Sequence, residues 1–405
     1  MTFRVAISGL NAAQSELSAT ANNIANSSTT GFKSSRVQFS ELYSAPTQGQ
    51  GSVSLGSGVK VAGVSQQFNQ GAVNFTDNGL DLAISGSGFF VLNSDGGRVY
   101  SRAGAFKVDR DGFVVNNGGQ RLQVFPPTSG GGFNTGATSD LRLQSGESPP
   151  SATSRIGVNF NLPGNAAAPP SSPFNPADPE TYSYSTAMTV YDSLGAAHTA
   201  TVYFSKANTA NSWEQRLYVD GNAVGTAQTL EYSNTGALVA PADGEVTFPA
   251  YTTQTGAAPL ALTFDFSSST QYGTAFSVSA IEQDGYTTGR LIGVETEVDG
   301  VVQARFTNGR SIALGKVALA QFASLDGLQQ LSDTAWGETF ASGPALMGEA
   351  GRAGSGAIQS GALEGSNVEV TEQLVNMITA QRNFQANAKM ISTADAISQT
   401  IINIR

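Results

Sequence analysis

The chain contains no cysteine and a single histidine, His198. The missing cysteine excludes disulfides, thiolate metal sites, iron–sulfur clusters and cysteine nucleophiles together. One histidine leaves any two-His metal site without its second ligand and puts any Ser–His–Asp chemistry on that one residue. Charge is also scarce, at 13% of 405 residues against roughly 25% in an ordinary soluble domain. What charge there is leans acidic, with 21 Lys plus Arg against 31 Asp plus Glu and a formal net charge of −10. Without clustered cations to neutralise phosphate, nucleic acid is excluded as a main partner. No run approaches the ~18 apolar residues of a membrane span. Met1–Leu10 also lacks the continuous apolar stretch of a secretory signal. The expectation is a chain that stays in the cytoplasm or is exported without cleavage.

The two ends share a pattern that the middle lacks. At the start, Ile7, Leu10, Leu17, Ala21 and Ile24 step by helical spacing and form two heptad rows, Leu10–Leu17–Ile24 and Ile7–Gln14–Ala21. Asn22, Asn23 and Asn26 followed by Ser27–Gly31 read as a helix end and turn. A helix over about 3–25 would be roughly 33 Å long. Near the end, Leu374, Ile378, Gln381, Phe384, Ala388, Ile391, Ala394, Ile397, Ile401 and Ile404 step by three or four, behind a capping box at Ser366–Glu369. Neither Pro nor Gly interrupts Ser366–Arg405, so this helix is expected to run about 37 residues, roughly 55 Å. A narrow apolar stripe needs a partner: either the ends clasp each other, or they form a coiled-coil-like stalk that also meets neighbouring chains.

Between the ends the period changes to two. Leu82–Ile84, Gly88–Leu92, Phe113–Val115, Leu122–Phe125, His198–Phe204 and Leu291–Val298 are short β runs, separated by Asp-Gly and Asn-Gly turn signals such as Asp111-Gly112 and Asp299-Gly300. The expected fold class is mainly β with terminal α-helices, in nested discontinuous domains. A paired, coiled-coil-like helical domain takes 1–30 and 366–405, and an extended connector takes 31–70 and 345–365. One β domain takes 71–144 and 285–344, and an inserted outer β domain takes 145–284. The Gly- and Ser-rich tracts Thr47–Gly58 and Ser342–Gly365 are read as connectors.

Catalytic patterns fail one by one. There is no complete phosphate loop; Gly86-Ser-Gly88 begins one and reads better as a bend before Phe89-Phe90. Asp109–Gly112 opens like an EF-hand but lacks its bidentate Glu, so it is expected to be a hairpin turn. His198 at a strand start is expected to be a surface or turn residue. Glu295 and Glu297 share one face of a strand and are expected to be solvated. Trp213 and Trp336 are expected in cores. No catalytic, cofactor or metal site is expected, and the chain is read as not an enzyme.

Ser8-Gly-Leu-Asn-Ala-Ala13, Asn22-Asn-Ile-Ala-Asn26 and Thr30-Gly-Phe-Lys33 together resemble the N-terminal signature of the bacterial flagellar rod and hook axial family. Glu372–Ile378, Gln381-Arg-Asn-Phe384 and Ile404-Arg405 resemble its C-terminal signature, and Gly88–Val91 and Ser101–Phe106 the start of its β domain. The residues carrying the family motif are Asn22, Asn23, Asn26, Gly31, Phe32, Gln381 and Arg382. Length and the inserted domain match the hook member; a distal rod or hook–filament junction member is the alternative. The resemblance implies a homopolymer forming a curved tube, a universal joint between rod and filament. It further implies uncleaved type III export, assembly beneath a hook cap, and location outside the cell in the flagellum. Its partners would be a rod protein at one end and a junction protein at the other. Ile7, Leu10, Leu17, Ile24, Leu374, Ile378, Phe384, Ile391, Ile397 and Ile401 are the expected subunit- and helix-packing residues. Since such burial is completed between subunits, the ends are expected to be disordered in the free monomer, with the Gly-rich connectors letting the β domains slide.

Overall fold

The structure is a computed structural model describing residues 2–42, 56–94, 96–128, 130–143, 146–352 and 354–403. Most of the Thr47–Gly58 tract, the side chain of Ile401, and Ile404-Arg405 therefore lie outside the described residues. The fold is mainly β with a helix at each end. None of the described helices is long and apolar enough to cross a membrane. Two compact units divide the chain: Met1–Ser145 with Ile292–Arg305 and Ser311–Arg405, and Gly146–Leu291 with Phe306–Arg310.

The first unit carries helix α1, Thr2–Ala25, and helix α2, Val370–Asn403. Beside them, Ser35–Glu41 pairs antiparallel with Val59–Gln66. The main sheet follows the order Leu291–Thr296, Val301–Phe306, Ser311–Gln321, Arg121–Phe125, Phe89–Ser94, Gly97–Ser101, Ala335–Gly337, Gln329–Gln330. Phe89–Leu92 is an unbroken apolar run because both faces of its strand are covered. Phe90 and Leu92 pack with Leu122, Val317 and Leu319, whereas Phe89 and Val91 pack with Tyr100, Phe125 and Trp336. Asp109–Gly112 closes a hairpin, as expected: the Asp109 carboxylate accepts from the amides of Asp111 and Phe113, at 2.9 and 2.7 Å.

Two expectations fail locally. The Ser342–Gly365 tract is not an extended connector throughout. Leu346–Glu349 pairs with Ser311–Gln321, Ala357–Ser360 with Leu82–Ser85, and Ala362–Glu364 with Val73–Phe75. Small residues let these backbones pass close together, and the pairing opposes sliding there. Helix α2 also starts a turn later than its capping box implies. Asn367 is held in extended chain, its carboxamide accepting from the Ser34 amide at 2.8 Å and donating to the Gln67 carbonyl at 2.7 Å. Helical bonding begins only at Gln373 N to Glu369 O.

The second unit is a β-sandwich with one shared core. One sheet is a meander of Tyr184–Tyr191, Ala197–Lys206, Ser212–Val219, Asn222–Tyr232 and Leu238–Ala240. The other centres on Arg155–Pro163, which pairs antiparallel with Ser277–Gln283 and parallel with Thr263–Asp265 and Thr270–Tyr272. Ile156, Val158, Phe160 and Leu162 alternate inward onto Val202, Phe204, Trp213 and Leu217 of the facing sheet. Both tryptophans are thus core residues.

Candidate assembly site

Helices α1 and α2 run antiparallel. The Asn23 carboxamide donates to the Gln373 side chain at 3.1 Å, while fourteen residues back in α1 and fourteen on in α2, Gly9 abuts Asn387. A Cβ at Gly9 would lie 2.6 Å from the Asn387 amide oxygen. The covered positions of α1 are Ala6, Ala13, Thr20 and Asn23, and α2 contributes Ala380. Small side chains let the two axes approach, so van der Waals contact extends along the backbone.

This seam lies one residue away from the predicted rows. Leu10, Leu17 and Ile24 are half-buried, as are Phe384 and Ile391, while Ile7, Leu374, Ile378 and Ile397 stand exposed. One residue turns the helix by about 100°, so several of the largest apolar side chains point away from the intramolecular partner. Val375 and Met390 join them in water. Gln381 and Arg382 are exposed on α2, and Asn22 is exposed at the end of α1.

Asn23 does structural work that its composition hides. Its buried side chain accepts from the Ser35 amide and donates to the Ser35 carbonyl, both at 2.8 Å, mimicking a strand partner. It thereby ties the end of α1 to the hairpin and, through Gln373, to α2. Asn26 caps the same end: its amide donates to the Asn22 carbonyl at 3.0 Å and its side-chain oxygen accepts from the Thr29 hydroxyl at 3.1 Å. The chain then turns through Gly31 at φ +70°, where a Cβ would fall 2.4 Å from the Ala103 nitrogen. Backbone conformation and backbone clearance both demand glycine there. Phe32 is buried beside it.

Below the helices lies a buried charge cluster that the sequence reading did not single out. The Lys33 ammonium donates to Glu364 at 2.5 Å and to the Asn69 carbonyl at 2.7 Å. The Arg102 guanidinium meets the other Glu364 oxygen at 3.1 Å and donates to the Gly86 carbonyl at 2.7 Å. The Gly71 amide also donates to the Glu364 carboxylate at 3.0 Å, and the Gly31 amide to the Glu364 carbonyl at 2.8 Å. Burial pulls both cations below their ordinary pKa values, against the opposing pull of Glu364. Lys33 and Arg102 sit inside quoted motifs, but nothing in a Gly-Ala-Leu-Glu-Gly run marks Glu364 as their shared counter-ion.

The comparisons with known proteins agree along the whole chain. Family models match residues 3–33 (flagella basal body rod protein), 83–165 (flagellar hook protein FlgE/F/G D1 domain), 161–286 (flagellar basal body protein FlaE D2 domain) and 359–404 (flagellar basal body rod FlgEFG protein C-terminal). The flagellar hook protein FlgE of Escherichia coli K12 is 39% identical over 419 residues, covering 100% of both chains. The chain belongs to the flagellar hook protein family. Its Borreliella burgdorferi relative, also a flagellar hook protein FlgE, is 34% identical across 98% of each chain. A crystal structure of Helicobacter pylori FlgE2 shares the fold, with a TM-score of 0.55 at 13% identity over 72% of this chain and 100% of that one.

Within this hook-family fold, the candidate chemical groups fall into structural places. Glu295 pairs with Arg305 at 3.0 Å on an exposed strand face, and Glu297 accepts from Gln303. His198 departs from expectation: it is buried, not a surface or turn residue. Its Nδ1 lies 2.6 Å from Asp220 and its Nε2 3.2 Å from Asp192. Two carboxylates facing both ring nitrogens suit the imidazolium, which donates from each. Burial lowers the His198 pKa, but the bonds to Asp220 and Asp192 outweigh it and leave the value raised. The sequence reading takes the strand start as a surface position and does not anticipate that the turn after the next strand brings Asp220 to the His198 ring.

Proposed function

We propose that this chain is the structural subunit of the bacterial flagellar hook. It polymerises into a curved, flexible tube that works as a universal joint, carrying torque from rod to filament. The observation that carries this reading is the outward apolar set on the paired terminal helices. Ile7, Leu374, Ile378 and Ile397 are exposed in a single chain whose own seam is already closed by small residues. Large apolar side chains left exposed once a chain's own seam is closed are the kind of surface that an assembly covers. Half-buried Leu10, Leu17, Ile24, Phe384 and Ile391, together with Ile401, complete the packing set.

The reading also assigns partners and place. Copies of the chain meet one another, a rod protein meets the proximal end of the tube and a hook–filament junction protein the distal end. A hook cap guides growth, and the flagellar type III apparatus exports the chain uncleaved to the cell exterior. The role is structural, not enzymatic. Electron microscopy of basal bodies from a strain lacking the gene tests it. Complete rods ending without a hook are expected. Truncated rods would move the protein into the rod, hooks lacking filaments would make it a junction protein, and intact flagella would overturn the reading.

A further inference from the structure

Phe340 is the most exposed large apolar residue among the described residues, its ring wholly in water. It does not sit on a loose loop. The Thr339 amide donates to the Ser342 hydroxyl at 2.9 Å, the Thr339 hydroxyl donates to the Gly327 carbonyl at 2.5 Å, and the Ala341 amide donates to the Thr339 hydroxyl at 3.1 Å. Ser342 is fully buried, and a Cβ on Gly327 would fall 2.4 Å from the Ala341 carbonyl carbon, so the two turns touch backbone to backbone. A locked turn thus holds one aromatic side chain outward. Four residues on begins the strand Leu346–Glu349, whose only strand partner among the described residues is Ser311–Gln321. Its exposed Leu346 leads into that open edge.

We infer that Phe340 is a preformed anchor that inserts into a second copy of this chain when subunits assemble, with Leu346 and the open strand edge forming the rim of the contact. Because the turn that carries the ring is already ordered, docking costs little backbone freedom and only the ring's own rotamers, the kind of saving that concentrates binding energy in a few interface residues. An open edge beside it offers a backbone contact that an isolated chain would otherwise need to blunt. The occupant is a second copy because the family is one of self-assembling axial proteins, and the inference rests on that proposed assembly.

The test uses the full chain, purified, with polymerisation followed by sedimentation and electron microscopy. Phe340→Ala is expected to raise the concentration threshold for polymer by on the order of thirtyfold, with the melting temperature unchanged. Phe340→Tyr, which keeps the ring, is expected to restore it. A photoreactive benzoylphenylalanine at position 340 is expected to cross-link at twice the mass of the chain. An unchanged threshold for Phe340→Ala alongside a polymerising wild type would overturn this inference alone. Wild-type chain that stays monomeric at every concentration would overturn both it and the proposed assembly. A cross-link only to another flagellar protein in cells would overturn the choice of occupant.

Discussion

Glu364 places one carboxylate between two cations at the point where α1, the first β strands and the last short strand meet. Deleting it leaves Lys33 and Arg102 buried without a counter-ion, which costs about 3–5 kcal/mol when one partner of a buried pair is removed. Glu364→Ala is therefore expected to lower the unfolding free energy of the first unit by that amount, read as a lower urea midpoint, while leaving the β-sandwich transition in place. His198 gives a pH dependence of definite sign in the second unit. Because its folded pKa is raised, its contribution is fully present below about 6.5 and is lost as pH rises through the folded value. Burial pushes Asp192 up, yet hydrogen bonds from Thr255, Ala196, His198 and Leu194 bring it down to about 2. Its own contribution therefore holds above the ordinary carboxylate range and fades only as pH falls toward 2. Calorimetry from pH 6 to 9 is expected to show the sandwich melting lower at the alkaline end, with His198→Gln removing that slope. A slope that survived the substitution would place the titration elsewhere.

At the scale of elements, the helices and strands were legible where one physical rule acted alone. The 3–4 spacing placed both terminal helices, and the turn signals placed the hairpins. The failures come where a distant partner overrides a local rule. Ser366–Glu369 has the sequence of a cap, but the Asn367 side chain is committed to Ser34 and Gln67, and no local pattern reveals that. The heptad rows were found, but the seam closed on Ala6, Ala13 and Thr20 beside them. Hydrophobic size marks where burial is wanted and not which partner supplies it. The site was half legible for the same reason: Asn23 and Gly31 stood in recognisable motifs, whereas the Lys33–Glu364 pair spans most of the chain. A small-residue seam with few large side chains is a weak clasp. Limited proteolysis of the monomer is expected to remove 1–30 and 366–405 first, polymer to protect both, and Gly9→Leu to speed the cleavage by driving α1 off Asn387. Equal resistance of the ends and the sandwich in free monomer would show the clasp to be strong.

For the whole molecule, the proposed reading puts folding and assembly on different faces of the same helices, which would make them separable by mutation. The seam holds the two helices to each other, and the proposal assigns the outward set to neighbours. Ile378 is half exposed on α2 and lies outside the seam, so on the proposed reading Ile378→Asp removes apolar surface from an assembly contact while leaving the fold's own packing alone. A surface change of this kind shifts monomer stability by no more than about 0.5 kcal/mol, whereas placing an unpaired carboxylate in a closed interface costs several kcal/mol per contact. In a tube that penalty recurs at every subunit. The expected outcome is a monomer with unchanged circular dichroism and melting temperature that forms no tubes, and cells whose rods end bare. Ala13→Leu should do the reverse, loosening the monomer's clasp first. Tubes of normal length from Ile378→Asp would mean that the outward face of α2 stays in solvent and that assembly runs through the β units alone.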